Sequence, residues 1–298
     1  MQDKLKFPSF VKSGLPKLLL LSSLVVVVFA LILRDSKKVV PTVSPVSTLV
    51  STPIPTPIPT PSPTPTPKPL TFTEMNALYG PCVQLPTLMY HHVQTKETTV
   101  ANKQTSLTVN TEIFKTQMQY LKDKNYNVLT MNDLINFFDS GASVPKHSVL
   151  LTFDDGYHDF YSDAFPILSS LGFHATVFTS TGLMNNSGYL NWDEISGMNG
   201  TILFANHTWS HKNMMTQIPI MQNEISMADT QLSDHGLNSP KIFAYPYGSD
   251  SIASENYLNS LGYKAAFTTK PGNVLCKKKR FDLPRLRIGN SSLSNYGF

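Results

Sequence analysis

The chain has 298 residues, a formal net charge of +4, 22 prolines and two cysteines, with the apolar share of a globular protein carrying an added hydrophobic anchor. The charge is mild and its basic residues gather at the N-terminus and in Lys277-Lys278-Lys279-Arg280, which leaves no footprint for a nucleic-acid partner. That short cluster reads as a solvated loop, or as a contact for an anionic wall polymer or membrane surface.

Residues 1–17 carry Lys4, Lys6, Lys12 and Lys17, an apolar run follows from Leu18 to Leu33, and Arg34, Asp35, Lys37 and Lys38 close it. No small-x-small cleavage site ends the run. It is read as an uncleaved signal anchor over residues 18–34 with its lysine-bearing end in the cytoplasm, a cleaved signal peptide being the other reading. Either way the remainder is expected to be exported, and the anchor reading makes it the extracellular part of a single-pass membrane protein. From Pro41 to Pro69 proline recurs among Thr, Ser and a few aliphatics. Proline fixes φ and removes backbone donors, so residues 35–70 are expected to form an extended spacer of roughly 3.1 Å per residue. Residues 71–298 are left for the catalytic domain. Cys82 and Cys276 lie near its two ends and could clasp them in an exported protein, but their spacing leaves the pairing open.

Strand-like and helix-like segments then alternate. Leu88–Val93 reads as strand, Glu112–Lys122 as helix, Asn127–Thr130 as strand and Met131–Phe138 as helix. Ser148 leads a central apolar strand to Asp154. Phe160–Leu171 reads as helix despite Pro166, His174–Thr179 as strand, Asp193–Met198 as helix, Thr201–Ala205 as strand and Ile220–Leu232 as helix. Lys241–Tyr245, Tyr263–Thr268 and Leu286–Ile288 complete the strands around a helix at Ser254–Leu261. Seven or eight strands interleaved with helices predict a parallel α/β domain, a closed or nearly closed (β/α) barrel of about seven strands.

In such a barrel chemistry gathers at the C-terminal ends of strands. Asp154 and Asp155 end the central strand ahead of Gly156, His207 and His211 follow a second strand, and Pro246-Tyr247-Gly248 ends a third. One carboxylate and two imidazoles form a set of three protein ligands with open positions for water and substrate. Zinc is the first expectation, with cobalt and nickel as other candidates for the divalent ion.

At these residues the sequence resembles the polysaccharide deacetylase family, carbohydrate esterase family 4, from about Leu85 to Gly289. The resemblance rests on Thr152-Phe153-Asp154-Asp155-Gly156, His207-Thr208-Trp209-Ser210-His211 and Tyr245-Pro246-Tyr247-Gly248, in that order. It implies a distorted β/α barrel, a metal on Asp155, His207 and His211, Asp154 as general base, and the backbone N–H of Tyr247 at the oxyanion. A bound metal would lower the pKa of water and polarise an acetyl carbonyl, which is what amide hydrolysis at neutral pH requires.

Two departures stand out. The family's late Leu-x-His motif, source of the general acid, is replaced by Leu283-Pro284-Arg285-Leu286-Arg287, and no histidine follows His235. Ala244 stands where many members carry an arginine that orients the base, a form similar to the subgroup acting on poly-β-1,6-N-acetylglucosamine. Arg285 or Arg287 is therefore expected on Asp154, Arg287 being the choice, and His91 or His92 is expected to supply the acid, with His92 the choice. His158 and Asp159 are expected to cap the next helix, and Trp192 and Trp209 to pack at the rim or to stack on sugar.

The expected function is removal of N-acetyl groups from N-acetylglucosamine residues of an extracellular polysaccharide, peptidoglycan or a β-1,6-linked polymer. The alternatives are a glycan-binding wall protein that has lost turnover, and an O-acetyl esterase on xylan or a similar polymer.

Overall fold

The computed structural model describes residues 68–298, so the expected anchor and nearly all of the spacer lie outside the described residues. Among the described residues no helix is long and apolar enough to cross a membrane.

Seven short apolar runs become parallel strands: β1 (Thr87–Tyr90), β2 (Ser148–Phe153), β3 (Ala175–Thr179), β4 (Ile202–Asn206), β5 (Ile242–Ala244), β6 (Ala265–Pro271) and β7 (Leu283–Arg287). Each pairs with its neighbour in sequence, and β7 pairs back onto β1, so the sheet closes into a barrel. Between the strands run α1 (Thr111–Asp123), α2 (Met131–Ser140), α3 (Phe165–Leu171), α4 (Trp192–Met198), α5 (Ile218–Asp234) and α6 (Ile252–Ser260).

The two-residue period of a strand sorts side chains between two layers. Leu150, Phe178, Ala205, Ala244, Phe267 and Leu283 share the barrel interior. Their neighbours Leu88, Tyr90, Leu151, Phe153, Val177 and Phe204 face outward and pack with Phe114, Met118 and Leu121 of α1, Leu168 of α3, and Ile195 and Met198 of α4. Phe243 and Ala266 meet Met221 and Ile225 of α5 and Leu258 of α6. Each buried Leu, Ile, Val, Phe or Met side chain among these contributes roughly 1.5–3 kcal/mol of hydrophobic stabilisation. Met131, Leu134 and Phe138 of α2 join the interior cluster together with Leu85, just ahead of β1, and so close the N-terminal end of the barrel.

Two irregularities distort the ring. Asn127–Val128 pairs with the first residues of β2, leaving β3 to pair only with its last two. Between β6 and β7 the register jumps from Phe267↔Leu283 to Pro271↔Arg285, a bulge that releases β6 carbonyls from the ladder.

One strand and one helix expectation are revised, and the open question of the cysteines is answered. The strand expected over Leu88–Val93 breaks at His91, because His92–Gln94 leaves the barrel to pair with Thr108–Asn110. The helix expected over Phe160–Leu171 opens with a π turn at Phe160–Ala164, followed by α3 with Pro166 in its first turn, where its missing N–H is tolerated. Asp159 makes no side-chain cap there. The two cysteines are joined: Cys82–Gln84 pairs antiparallel with Val274–Cys276, setting Cys82 opposite Cys276 in a disulfide across 194 residues of sequence.

Candidate active site

The interior alternation of β2 continues one step past its end, so Leu150, Thr152 and Asp154 share one face and the Asp154 carboxylate sits in the barrel mouth, 3% exposed. Arg285, fully buried, meets it from β7: Nη1 donates to Asp154 Oδ1 at 2.7 Å and Nη2 to Oδ2 at 2.6 Å. Nη1 also reaches Thr152 Oγ1 at 3.1 Å, and Nε donates to the carbonyl of Thr268 at 3.0 Å, one of the β6 carbonyls within the bulge. Phe178 lies under the guanidinium, 5.6 Å from its ring centroid. Burial pushes the Asp154 carboxyl up, but the Arg285 charge and its hydrogen bonds more than reverse this and hold it below the usual carboxylate range.

Asp155 turns the chain out of β2 at φ +76°, ahead of Gly156 at φ +77°. A Cβ on Gly156 would stand 2.9 Å from Met184 Cε and 3.0 Å from Thr179 Cγ2, so only glycine fits this turn without displacement. Asp155 Oδ1 lies 3.3 Å from His207 Nε2 and 3.1 Å from His211 Nε2, and the three ligand-type atoms lie within 4.8 Å of one another.

The tautomer of His207 follows from its other nitrogen. Nδ1 stands 2.7 Å from the Ala244 carbonyl, which can only accept, so Nδ1 carries the proton and Nε2 presents a lone pair to Asp155. Asp155 Oδ1 is buried and accepts no hydrogen bond. A carboxylate oxygen and an imidazole lone pair facing each other are mutually repulsive unless a cation lies between them, so the residues fit a divalent metal.

The His207–His211 loop is held by its surroundings rather than by its own preferences. Thr208 at φ +69° and His211 at φ +57° occupy a region that β-branched and bulky residues avoid. Asn206 Oδ1 accepts from Thr208 N–H at 2.7 Å, and Ser180 Oγ donates to the His207 carbonyl at 3.0 Å. Glu224 of α5, almost fully buried, accepts from Ser210 N at 2.8 Å and Ser210 Oγ at 2.6 Å. The Gly182 N–H donates to the Trp209 carbonyl at 2.7 Å, and the indole packs so closely on Gly182 that a Cβ there would come within 2.6 Å of the ring. Trp209 is thus a packing residue. Trp192 is another, stacked on His235 at 4.0 Å between ring centroids.

The two candidate acids separate by strand parity. Leu88 and Tyr90 point outward, so His91 points into the mouth and His92 away from it. Burial pushes His91 below the usual imidazole range, with the Asp154 and Asp155 charges opposing and those of Arg285 and Arg287 adding to the depression. His92 is corrected to a different environment. Its Nδ1 lies 2.5 Å from Asp159 Oδ2, its Nε2 3.0 Å from Gln104 Nε2, and its ring stacks on Tyr157 at 3.6 Å, beside a side cavity of about 340 Å³. Asp159 spends its carboxylate on His92 and the Val93 N–H instead of capping a helix, and His158 stands 3.1 Å from Glu194. Arg287, the choice for orienting the base, is likewise displaced: Arg285 holds Asp154, and Arg287 sits exposed at the end of β7.

Tyr247 follows Pro246 in a 3-10 turn at φ +60°, ψ +5°, with its exposed ring edge-on to His211 at 4.8 Å between centroids. A Cβ on Gly248 would lie 2.1 Å from Thr269 Oγ1, so this turn too depends on glycine. Asp159, Gln104, Glu224, Asn206 and Gly182 are supports that sequence reasoning missed, since each acts on residues distant in sequence or through backbone atoms.

A barrel whose charged side chains converge at the C-terminal mouth is the frame of an enzyme. The polysaccharide deacetylase family model matches residues 141–266. The chain is 29% identical over 208 residues to YxkH of Bacillus subtilis (strain 168), named for the same family, covering 69% of this chain and 71% of that protein. It is 24% identical over 195 residues to the poly-β-1,6-N-acetyl-D-glucosamine N-deacetylase of Staphylococcus epidermidis, covering 60% of this chain and 67% of the relative. Among solved structures it is similar to the Streptococcus pyogenes deacetylase PplD in complex with acetate, with TM-score 0.65 and 29% identity over 72% of this chain and 96% of that one. Residues 141–266 thus match the polysaccharide deacetylase domain, and the homologues indicate a hydrolase of the deacetylase class.

Proposed function

We propose that the chain is a metal-dependent N-deacetylase acting on N-acetylglucosamine residues of an exported polysaccharide, a β-1,6-linked polymer or peptidoglycan. The observation that carries this reading is Asp155 Oδ1, buried without a donor between two imidazole nitrogens and adjoining a carboxylate held ionised by a buried arginine. A divalent ion held by Asp155, His207 and His211, zinc first with cobalt or nickel as alternatives, would supply Lewis acidity to water and to the acetyl carbonyl.

The chain's own residues supply the proton handling. Asp154 accepts the proton of the attacking water, and Arg285 fixes its orientation and keeps it ionised. The Tyr247 N–H, presented by the left-handed turn, donates to the oxygen that gains charge as the tetrahedral species forms. His91, facing the same mouth and kept largely neutral by burial, relays to the leaving amine the proton that Asp154 takes from the water, a role the missing late histidine leaves vacant. Acetate and a free amino sugar result.

The β-1,6 preference is supported by the name of the staphylococcal relative and by the Phe243-Ala244-Tyr245-Pro246-Tyr247-Gly248 form of the third motif. Export and membrane anchoring are supported by the lysine-flanked apolar run from Leu18 to Leu33 and by the disulfide, which belongs to an oxidising compartment. The test is acetate release by the full chain, in detergent, from β-1,6- and β-1,4-linked N-acetylglucosamine pentamers and from peptidoglycan. Release from at least one supports the proposal. Binding without release on all three would replace it with a wall-binding role, and release only from O-acetylated xylan with an esterase.

A further inference from the structure

Three arginines fall among the described residues, and two are committed: Arg280 to Asp139 at 2.8 Å and Arg285 to Asp154 at 2.6 Å. Arg287 has no carboxylate within ion-pair distance among the described residues. Its position is set by strand parity. Leu283 and Arg285 point into the barrel, so Arg287 emerges on the same face, about 7 Å further along β7 and at the mouth. It is exposed, and its charge acts on His91, which faces the same opening.

Arg287 also lines a cavity of about 310 Å³ whose polar wall includes Thr105, Ser106, Thr108, Asn290 and Tyr296. That wall is fixed: Asn290 Nδ2 donates to the Thr108 carbonyl at 3.0 Å, and Tyr296 Oη accepts from Gly289 N–H at 2.8 Å. A guanidinium is a planar fork of donors matched to carboxylate and phosphate, whereas an uncharged N-acetylglucosamine chain offers it nothing to neutralise.

We infer that Arg287, with Thr105, Ser106 and Asn290, forms a subsite for an anionic substituent, carboxylate or phosphate, on a sugar neighbouring the N-acetylglucosamine that is deacetylated. The inference rests on the proposed function, and it narrows the substrate class to an acidic glycan.

Binding and turnover are measured together on the full chain in detergent. The probes are N-acetylchitopentaose, peptide-free peptidoglycan strands with lactyl carboxylates, the same strands methyl-esterified, and an N-acetylglucosamine oligomer carrying 6-phosphates. The wild type is expected to bind carboxylate or phosphate strands about tenfold more tightly than the neutral or esterified ones, the gain expected of a charged hydrogen bond. Arg287→Gln should erase that difference and Arg287→Lys restore part of it; whichever charged strand shows the effect identifies the source of the anion. Equal affinity for charged and neutral strands in the wild type, or a preference that survives Arg287→Gln, would overturn the inference. No acetate release from any probe or from a β-1,6-linked N-acetylglucosamine pentamer run beside them, with an Arg287-dependent preference intact, would sink the deacetylase reading and leave the anion subsite standing.

Discussion

Arg285 holds Asp154 by two parallel hydrogen bonds inside a barrel where neither side chain meets water to any extent. Such a buried pair gains orientation more than stability, because desolvation of both charges offsets most of their attraction. Removing one partner exposes the full cost to the other.

Arg285→Met tests that relationship through pH. With the arginine present the Asp154 carboxyl lies below its usual range, so the proposed base is ionised above its depressed folded pKa and is lost only as pH falls through it. Without the arginine, burial is opposed only by the weaker influence of His207 and His91 and raises the pKa. The acid limb of kcat/KM should therefore move to higher pH, and kcat/KM at neutral pH should fall at least about a hundredfold. An acid limb that stays in place would mean that Arg285 does not tune Asp154.

His91 and His92 are adjacent but should part company on substitution. His91→Asn should lower kcat roughly 10²–10⁴-fold with little change in folding, as expected for loss of a general acid. His92→Ala should instead lower stability by about 1–3 kcal/mol, leaving the part-buried Asp159 with one donor, while kcat falls far less. Thermal unfolding and steady-state rates on both variants decide it.

Gly182→Ala should loosen the His207–His211 loop from behind. The added Cβ would collide with the Trp209 indole and carbonyl, at a cost of about 1–3 kcal/mol, and tilt the backbone that carries His207 and His211. Zinc affinity should fall about 10–100-fold, the range seen when groups behind metal ligands are disturbed. Calorimetric titration with zinc reads this directly.

Cys82→Ser with Cys276→Ser should cost about 2–5 kcal/mol of stability, since the bond closes a loop of 194 residues. Turnover at low temperature should persist, because the disulfide joins the segments before β1 and before β7, at the far end of the barrel from the mouth. Unfolding in denaturant, with and without reductant, checks both statements.

The strand and helix order was legible because the apolar runs that form strands are bounded by polar segments with helical spacing. The clustering of Asp155, His207 and His211 was legible as two motifs at strand ends. What could not be read was parity: Leu88-Met89-Tyr90 is apolar on both faces, so nothing in the run says whether His91 or His92 turns inward, and only the packing of Leu88 and Tyr90 against the helices decides it. Arg285 and Arg287 share a face by parity, and what separates them is depth. The bulge opposite β7 offers the Thr268 carbonyl to Arg285, and a bulge leaves no mark in Thr268-Thr269-Lys270. Glu224 lies fourteen residues from Ser210, too far for any local pattern to join them.

The central claim is that Asp155, His207 and His211 hold a divalent ion on which acetate release depends. The direct measurement strips the full chain with chelator and titrates zinc while acetate release from a β-1,6-linked N-acetylglucosamine pentamer is followed, beside Asp155→Asn. The account predicts no release after stripping, recovery that saturates at one ion per chain, and no recovery in the variant. Full release in the stripped protein, or recovery in Asp155→Asn equal to the wild type, would contradict it.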